Sequence, residues 1–450
     1  MLKIYLSIYL LFVGICVVIA QSNNVLPTKS QIKWAESEIG VLIHFDINIY
    51  APGTFDYSKK ETLPPATAFN PSKLNTDQWI LAAKKAGAKY AILTAKHGTG
   101  FALWPTKVND YHIGNSPVKK GKEDIVLNFI KSCKKYGLKP GIYYNTNMNT
   151  YYGAGFTVLS EKQRLEFNQV VYEQLSELWG NYGELFEIWF DGGVMSDPKV
   201  GIAGRVIDLL KKYQPNAVLF GGPTSCQNVI RWVGNEDGRA PYPHWSRIGV
   251  QTVTDGLKDV PNLNGNPNGE FWMPAEADFP NRNKRAWNGG WLWKDGQDSL
   301  LFSANDLMDR YYTSVGRNAN MLIGMAIDTS GLFPLQDSKN FEMFGNILKQ
   351  RAKSKIGSVK GTGNSFSIQF PKSQNINQIE IQEDIANGER IRAYKVEGLV
   401  DGNWQFICDG VSVGHKRIQR FDKIKVSAVR LVITRTTEIP MIKGFTAYLF

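Results

Sequence analysis

Glu187-Ile188-Trp189-Phe190-Asp191-Gly192-Gly193 reads as a buried strand that ends in a carboxylate. Leu185, Phe186, Ile188, Trp189 and Phe190 are apolar, and the two glycines stop the run. In a barrel of alternating strands and helices, side chains at the C-terminal ends of the strands build the active site. An aspartate at the tip of such a strand is a catalytic candidate. Taken alone, it is equally well a turn residue with no chemistry.

The same pattern recurs on both sides of that stretch. Ile39 to Phe45 is an apolar strand whose end carries His44, Asp46 and Asn48. Thr76 to Ala86 reads as a helix, with Asp77 in its first turn and Lys84 and Lys85 in its last, where the charges suit the helix dipole. Tyr90 to Thr94 is a strand that delivers Lys96-His97-Gly98-Thr99-Gly100, followed by Phe101, Leu103 and Trp104. Asp124 to Tyr136 is a helix closed by Gly137, and Leu138 to Tyr144 a strand running into Asn145. Helices over Glu161 to Trp179 and Ile202 to Tyr213 flank the Asp191 strand. Ala217 to Phe220 and Val229 to Val233 are strands, Ala304 to Ser314 is a helix, and Asn320 to Met325 a closing strand. This alternation predicts an α/β fold, a (β/α)8-like TIM barrel. A doubly wound sheet is the alternative, but the Gly-x-Gly-x-x-Gly fingerprint of its dinucleotide-binding version is absent.

Near Gly357 the composition changes. Phe366 to Phe370, Ile376 to Ile381, Ile391 to Val396, Trp404 to Ile407, Ile424 to Val426, Val429 to Ile433 and Gly444 to Leu449 are short strand-like stretches. Several alternate with period two, which predicts a C-terminal β-sandwich. The expected organisation is a signal peptide over 1–20, a catalytic barrel over 21–352 and a sandwich over 357–450. The sandwich either binds glycan or braces the barrel.

The totals set limits on function. The 450 residues suit one large domain and a smaller one. The net charge of +11 is spread over the chain, without an arginine-rich helix or zinc-finger spacing, so no nucleic-acid partner is expected. Lys3 followed by the apolar run Leu6 to Ile19 reads as a secretory signal with cleavage near Ala20. No other segment is long and apolar enough to span a membrane, so a secreted or periplasmic protein is expected. Cys16 leaves with the signal, and Cys133, Cys226 and Cys408 are too few and too scattered for a disulfide framework.

Val229 to Val233 runs into Gly234-Asn235-Glu236-Asp237-Gly238, a second carboxylate at a strand end. Asp191 and Glu236 are the best pair for dividing nucleophile and acid roles, as glycosidases do, with retention and inversion both open. Aromatic faces stack on sugar rings while polar groups orient hydroxyls, so His44, Asp46, His97, Trp104, Tyr143, Trp189, Trp232 and Glu276 are the expected substrate contacts. No cofactor is expected. The five histidines form no His-x-x-x-His and there is no Cys-x-x-Cys, so no metal is expected either. A metal-assisted hydrolase gathering His44, His97, Asp46 and Asp191 is the rival enzyme. A non-catalytic glycan-binding barrel is the rival outside catalysis.

At these residues the chain resembles glycoside hydrolase family 29, the retaining α-L-fucosidases, from about Trp34 to Met325. The likeness is carried by the His44 strand end, Lys96-His97 with Gly100-Phe101 and Leu103-Trp104-Pro105, Glu187 to Gly192, and Ser314-Val315-Gly316-Arg317-Asn318-Ala319-Asn320. The resemblance implies that Asp191 is the nucleophile, that Trp189 lines the fucose site, and that His44 and His97 bind fucose hydroxyls. Trp232-Val233-Gly234-Asn235-Glu236 looks like the subgroup acting on α-1,3/1,4-linked fucose, which assigns the acid/base role to Glu236. It implies retention through a covalent fucosyl-enzyme without metal, on a fucosylated oligosaccharide or polysaccharide. Two departures touch the sugar pocket. Gly98 and Thr99 stand where the family carries a second histidine and an acidic residue, and Asp46 stands where it carries glycine. They leave L-galactose open as the glycone.

Overall fold

The computed structural model describes residues 25–155, 158–249 and 263–450; the expected signal peptide lies outside them. Eight parallel strands close a barrel: β1 (Ile39–His44), β2 (Tyr90–Lys96), β3 (Lys139–Asn145), β4 (Glu187–Asp191), β5 (Val218–Phe220), β6 (Val229–Trp232), β9 (Ala275–Phe279) and β10 (Ala319–Ala326). Between β6 and β9 lies a small antiparallel hairpin, β7 (Arg247–Ile248) with β8 (Phe271–Trp272). Closure comes from β1, which pairs with β2 on one side and β10 on the other. Every residue of β1, β2, β9 and β10 is buried. Strands covered on both faces read as largely apolar runs, as β1, β2 and β10 do in the sequence; β9 is buried although it alternates alanine with Glu276 and Asp278.

The helices start where polar caps stand. Thr28 and Gln31 form a reciprocal capping box on α1 (Lys29–Ala35), and Ser160 and Gln163 do so on α4 (Glu161–Asn181). Asn75 caps α2 (Thr76–Lys85) and Asp124 caps α3 (Ile125–Tyr136). Gly137 ends α3 at φ 76°, the left-handed conformation that favours glycine. α5 (Ala203–Tyr213), α6 (Ala304–Thr313) and α7 (Leu335–Lys353) complete the set. Helix α1 closes the N-terminal end of the barrel. Gln31 donates to the Val229 carbonyl at 3.0 Å, and Asn320 donates to the Trp34 carbonyl at 2.8 Å. The opposite end is left open for loops.

The C-terminal region is one six-stranded antiparallel sheet with a sandwich-like core, in the order β11 (Lys355–Thr362), β16 (Met441–Tyr448), β12 (Ser365–Glu383), β15 (Arg417–Thr436), β13 (Ile391–Val400), β14 (Asn403–Gly410). Four of the expected short strands fuse into two long ones, β12 and β15. A register shift between Gln369 and Gln374, around Pro371, makes one strand look like two in the sequence.

The sheet is fastened to the barrel by buried and half-buried polar contacts. Glu38 pairs with Lys416 at 2.6 Å and His415 at 3.0 Å. Glu389 accepts from the Ser246 backbone at 2.9 Å and from Asn318 at 2.7 Å. The Ser412 hydroxyl takes the His244 N–H at 3.2 Å. These contacts dock the sheet against the barrel. Cys133, Cys226 and Cys408 are free thiols.

Candidate active site

Parallel strands carry their C-terminal residues to one rim. His44 ends β1, Lys96 ends β2, Asn145 ends β3 and Asp191 ends β4. Asp191 is half-buried. The Tyr143 hydroxyl donates to Asp191 Oδ2, and Asn145 Nδ2 donates to the same oxygen at 2.8 Å. Oδ1 takes no hydrogen bond from the described residues. One oxygen is therefore held while the other stays available. Gly192 and Gly193 follow at φ 75° and 73°, which lets the chain turn away at once.

Beside Asp191 stands a wall of rings. Tyr143 stacks on His97 (5.7 Å between centroids, 16°) and on Trp189 (5.3 Å, 18°), and Trp189 stacks on Phe220 at 3.9 Å. His44 meets His97 edge-on at 5.7 Å and packs against Trp291 at 4.9 Å. Burial, and then the neighbouring His97, push His44 down to about 3, so its ring is neutral near pH 7. A neutral imidazole offers one donor and one acceptor, a match for a sugar hydroxyl.

Asp46 lies just beyond β1 and is 1% exposed. Its Oδ1 accepts from the Ile47 N–H at 2.8 Å and from the Thr99 hydroxyl at 2.6 Å. The two departures from the family pattern thus meet in space. Among the described residues Oδ2 is buried without a hydrogen-bond partner, and it lies 3.6 Å from His97 Nδ1. The Tyr57 hydroxyl reaches the same ring nitrogen at 3.3 Å and also accepts from Asn48 at 3.0 Å. A buried acceptor left unpaired is costly, and a ligand hydroxyl would relieve it.

A second cluster sits two strands away. Trp232 ends β6 and donates its indole N–H to Asp278 at 2.5 Å. Burial first, and then the charge of Glu236, raise the Asp278 carboxyl well above the ordinary range. Glu236 therefore lies within electrostatic reach of this pair. Its loop is held by Asn235, which donates to the Arg239 carbonyl at 2.9 Å, and by Arg239, which pairs with Asp309 at 2.5 Å.

Two residues expected at the substrate are placed elsewhere. Trp104 is 2% exposed and donates to Glu177 on α4 at 2.8 Å, so its ring belongs to the packing outside the barrel. Glu276 is wholly buried inside the barrel, accepting from Tyr90 at 2.6 Å and from Trp189 at 3.1 Å. It faces Glu187, itself bonded to the Trp34 indole at 2.8 Å. Burial raises both carboxyls, and the charge of Glu276 adds to the rise at Glu187. Both residues act within the scaffold, one of them beneath Trp189. Asn145, Tyr57, Asp278 and Trp291 join the rim instead. The strand-end position of Asn145 was a usable signal; Asp278 lies on a strand without an apolar pattern, and Tyr57 and Trp291 arrive on loops.

The α-L-fucosidase family model matches residues 14–353. Alpha-L-fucosidase 1 of Arabidopsis thaliana is 28% identical over 468 residues, spanning 94% of this chain and 87% of that protein. A solved structure from Bacteroides thetaiotaomicron, of a protein inferred to be an α-L-fucosidase, aligns with a TM-score of 0.87 at 36% identity, over 95% of this chain and 99% of that one. A glycoside hydrolase 29 family member from a rumen bacterium aligns with a TM-score of 0.80 at 29% identity, over 95% of this chain and 77% of its own.

Proposed function

The chain belongs to the α-L-fucosidase family, glycoside hydrolase family 29, and on that premise we propose an exo-acting, retaining α-L-fucosidase with Asp191 as nucleophile and Glu236 as acid/base. The observation that carries this reading is the anchoring of a single Asp191 oxygen by Tyr143 and Asn145 at a strand end. Such a carboxylate is oriented in advance of the reaction, which removes part of the entropic barrier. Asp191 Oδ1 attacks the anomeric carbon as the glycosidic C–O bond breaks, and the departing oxygen takes the proton of Glu236. Glu236 then removes a proton from water, the water oxygen attacks the same carbon, and the bond to Asp191 breaks. Two inversions give net retention.

The glycone rests against the Trp189–Tyr143–His97 stack. The neutral His44, together with His97, binds its hydroxyls. The Trp232 to Glu236 segment supports α-1,3/1,4-linked substrates. Asp46 Oδ2, which takes no hydrogen bond from the described residues, favours a second reading in which the glycone brings one more hydroxyl, as L-galactose does. Matched aryl α-L-fucoside and α-L-galactoside separate the two by kcat/KM. The main test follows the first-formed anomer by NMR on a fucosylated oligosaccharide: α-L-fucose must appear first, and β-L-fucose first would overturn retention. Asp191→Ala must abolish turnover without lowering the melting temperature.

A further inference from the structure

Strand β2 ends in a lysine that the proposed chemistry does not use. Lys96 is 0% exposed. A buried ammonium persists only where its N–H groups are satisfied. Lys96 Nζ donates to the Met148 carbonyl at 2.8 Å and to the Asn145 carbonyl, and it lies 4.5 Å above the Tyr144 ring. The two carbonyls bracket one turn. Inside that turn, Asn145 Oδ1 accepts the backbone N–H groups of Asn147 at 3.0 Å and Met148 at 2.7 Å. Those two donors fix which way the carboxamide points, since a flipped amide would set its NH2 against them. The NH2 is thereby directed to Asp191 Oδ2 at 2.8 Å.

We propose that Lys96 is a positioning residue: by clamping the turn that holds the Asn145 carboxamide, it aims Asp191 at the anomeric carbon. The inference rests on Asp191 being the nucleophile. The charged groups around Lys96 agree with it. Burial pulls the ammonium down to about 7, while Asp191 and Asp46 pull the other way. Tyr144 faces it from β3 with its hydroxyl turned to Gln174 at 2.7 Å, and Phe167 faces it from α4. Loss of the proton removes one N–H and the charge, so the clamp loosens as the medium becomes alkaline.

The test uses the full chain and an aryl α-L-fucoside whose leaving group needs no proton from Glu236. Lys96→Met, Asn145→Ala and the double variant are compared, with melting temperatures as controls. Each single variant must lose about 100-fold in kcat/KM, and the double must be no worse than about threefold below the weaker single, because the two act in series. Losses that multiply, or a Lys96→Met enzyme within about threefold of the unaltered one, overturn the proposal. Should Lys96→Met fail to fold, the pH profile decides. The kcat/KM of the unaltered enzyme must fall on the alkaline side, and Lys96→Arg, which keeps its proton, must move that limb up by at least about one unit. A flat profile, or a limb unmoved in Lys96→Arg, overturns it. Turnover surviving in Asp191→Ala overturns both the inference and the reading beneath it; loss there with multiplicative losses elsewhere overturns the inference alone.

Discussion

Tyr143→Phe isolates one interaction at the heart of the site. The hydroxyl donates to Asp191 Oδ2, while the ring is held between His97 and Trp189 at 5.7 and 5.3 Å. Phenylalanine keeps both stacking contacts and removes only the donor. Burial, and then the charge of Asp191, hold the phenol well above its ordinary range, so it is a donor at every working pH. A hydrogen bond to a charged group contributes about 1.5–3 kcal/mol. At about 1.4 kcal/mol per decade, that is about 10- to 150-fold in rate. Asn145 still donates to the same oxygen at 2.8 Å, so the loss belongs toward the lower end. The assay is kcat and KM on an activated aryl α-L-fucoside at matched melting temperature. The loss must fall on kcat and kcat/KM together, since the stacking wall is intact. A change confined to KM, or a loss below about threefold, would refute the view that Tyr143 holds the nucleophile.

Glu236→Gln must depend on the leaving group. It should cost about 10²- to 10⁴-fold on natural oligosaccharides and far less on activated aryl fucosides, with azide restoring turnover; equal losses on all substrates would contradict the acid/base role. Glu383 and Glu38 must each leave a limb in the pH dependence of stability. Burial raises Glu383 to about 7 from the ordinary 4.5, so the folded state binds the extra proton and stability falls as pH rises from about 4.5 to 7. Burial also opposes ionisation of Glu38, but Lys416 and His415 overcome it and hold Glu38 at about 2, so its contribution is lost as pH falls from about 4.5 to 2. Melting temperature against pH checks both limbs, and Glu383→Gln must flatten the upper one. Glu389→Ala strands the Ser246 N–H where the sheet meets the barrel, costing about 1–3 kcal/mol, and leaves the Asn318 NH2 only its hydrogen bond to the Ser246 hydroxyl at 3.2 Å; an unchanged denaturant midpoint would deny the bracing role.

Much of the barrel was legible because its strands are buried on both faces and its helices carry explicit caps. Thr76, Asp124 and Gly137 stand at or beside observed helix ends. Strand β9 was the exception. Ala275 and Ala277 alternate with Glu276 and Asp278, so the run lacks an apolar signature and reads as an acidic loop. Strand β11 escaped because it is mostly exposed and rich in glycine and lysine. For the site, a strand-end position names candidates but not directions. Trp104 and Glu276 had suitable chemistry, yet one turns outward to α4 and the other inward beneath Trp189. Asp46 and Thr99 looked like two unrelated changes, and only their 2.6 Å contact shows that they form one unit.

The most direct measurement traps the intermediate. A 2-deoxy-2-fluoro-α-L-fucosyl fluoride slows both steps but still loads the enzyme, and peptide mass spectrometry locates the sugar. The proposed chemistry requires one fluorofucosyl group per chain, on Asp191, with none in Asp191→Ala. A label on any other residue, or turnover of the reagent without a label alongside first-formed β-L-fucose, would contradict it.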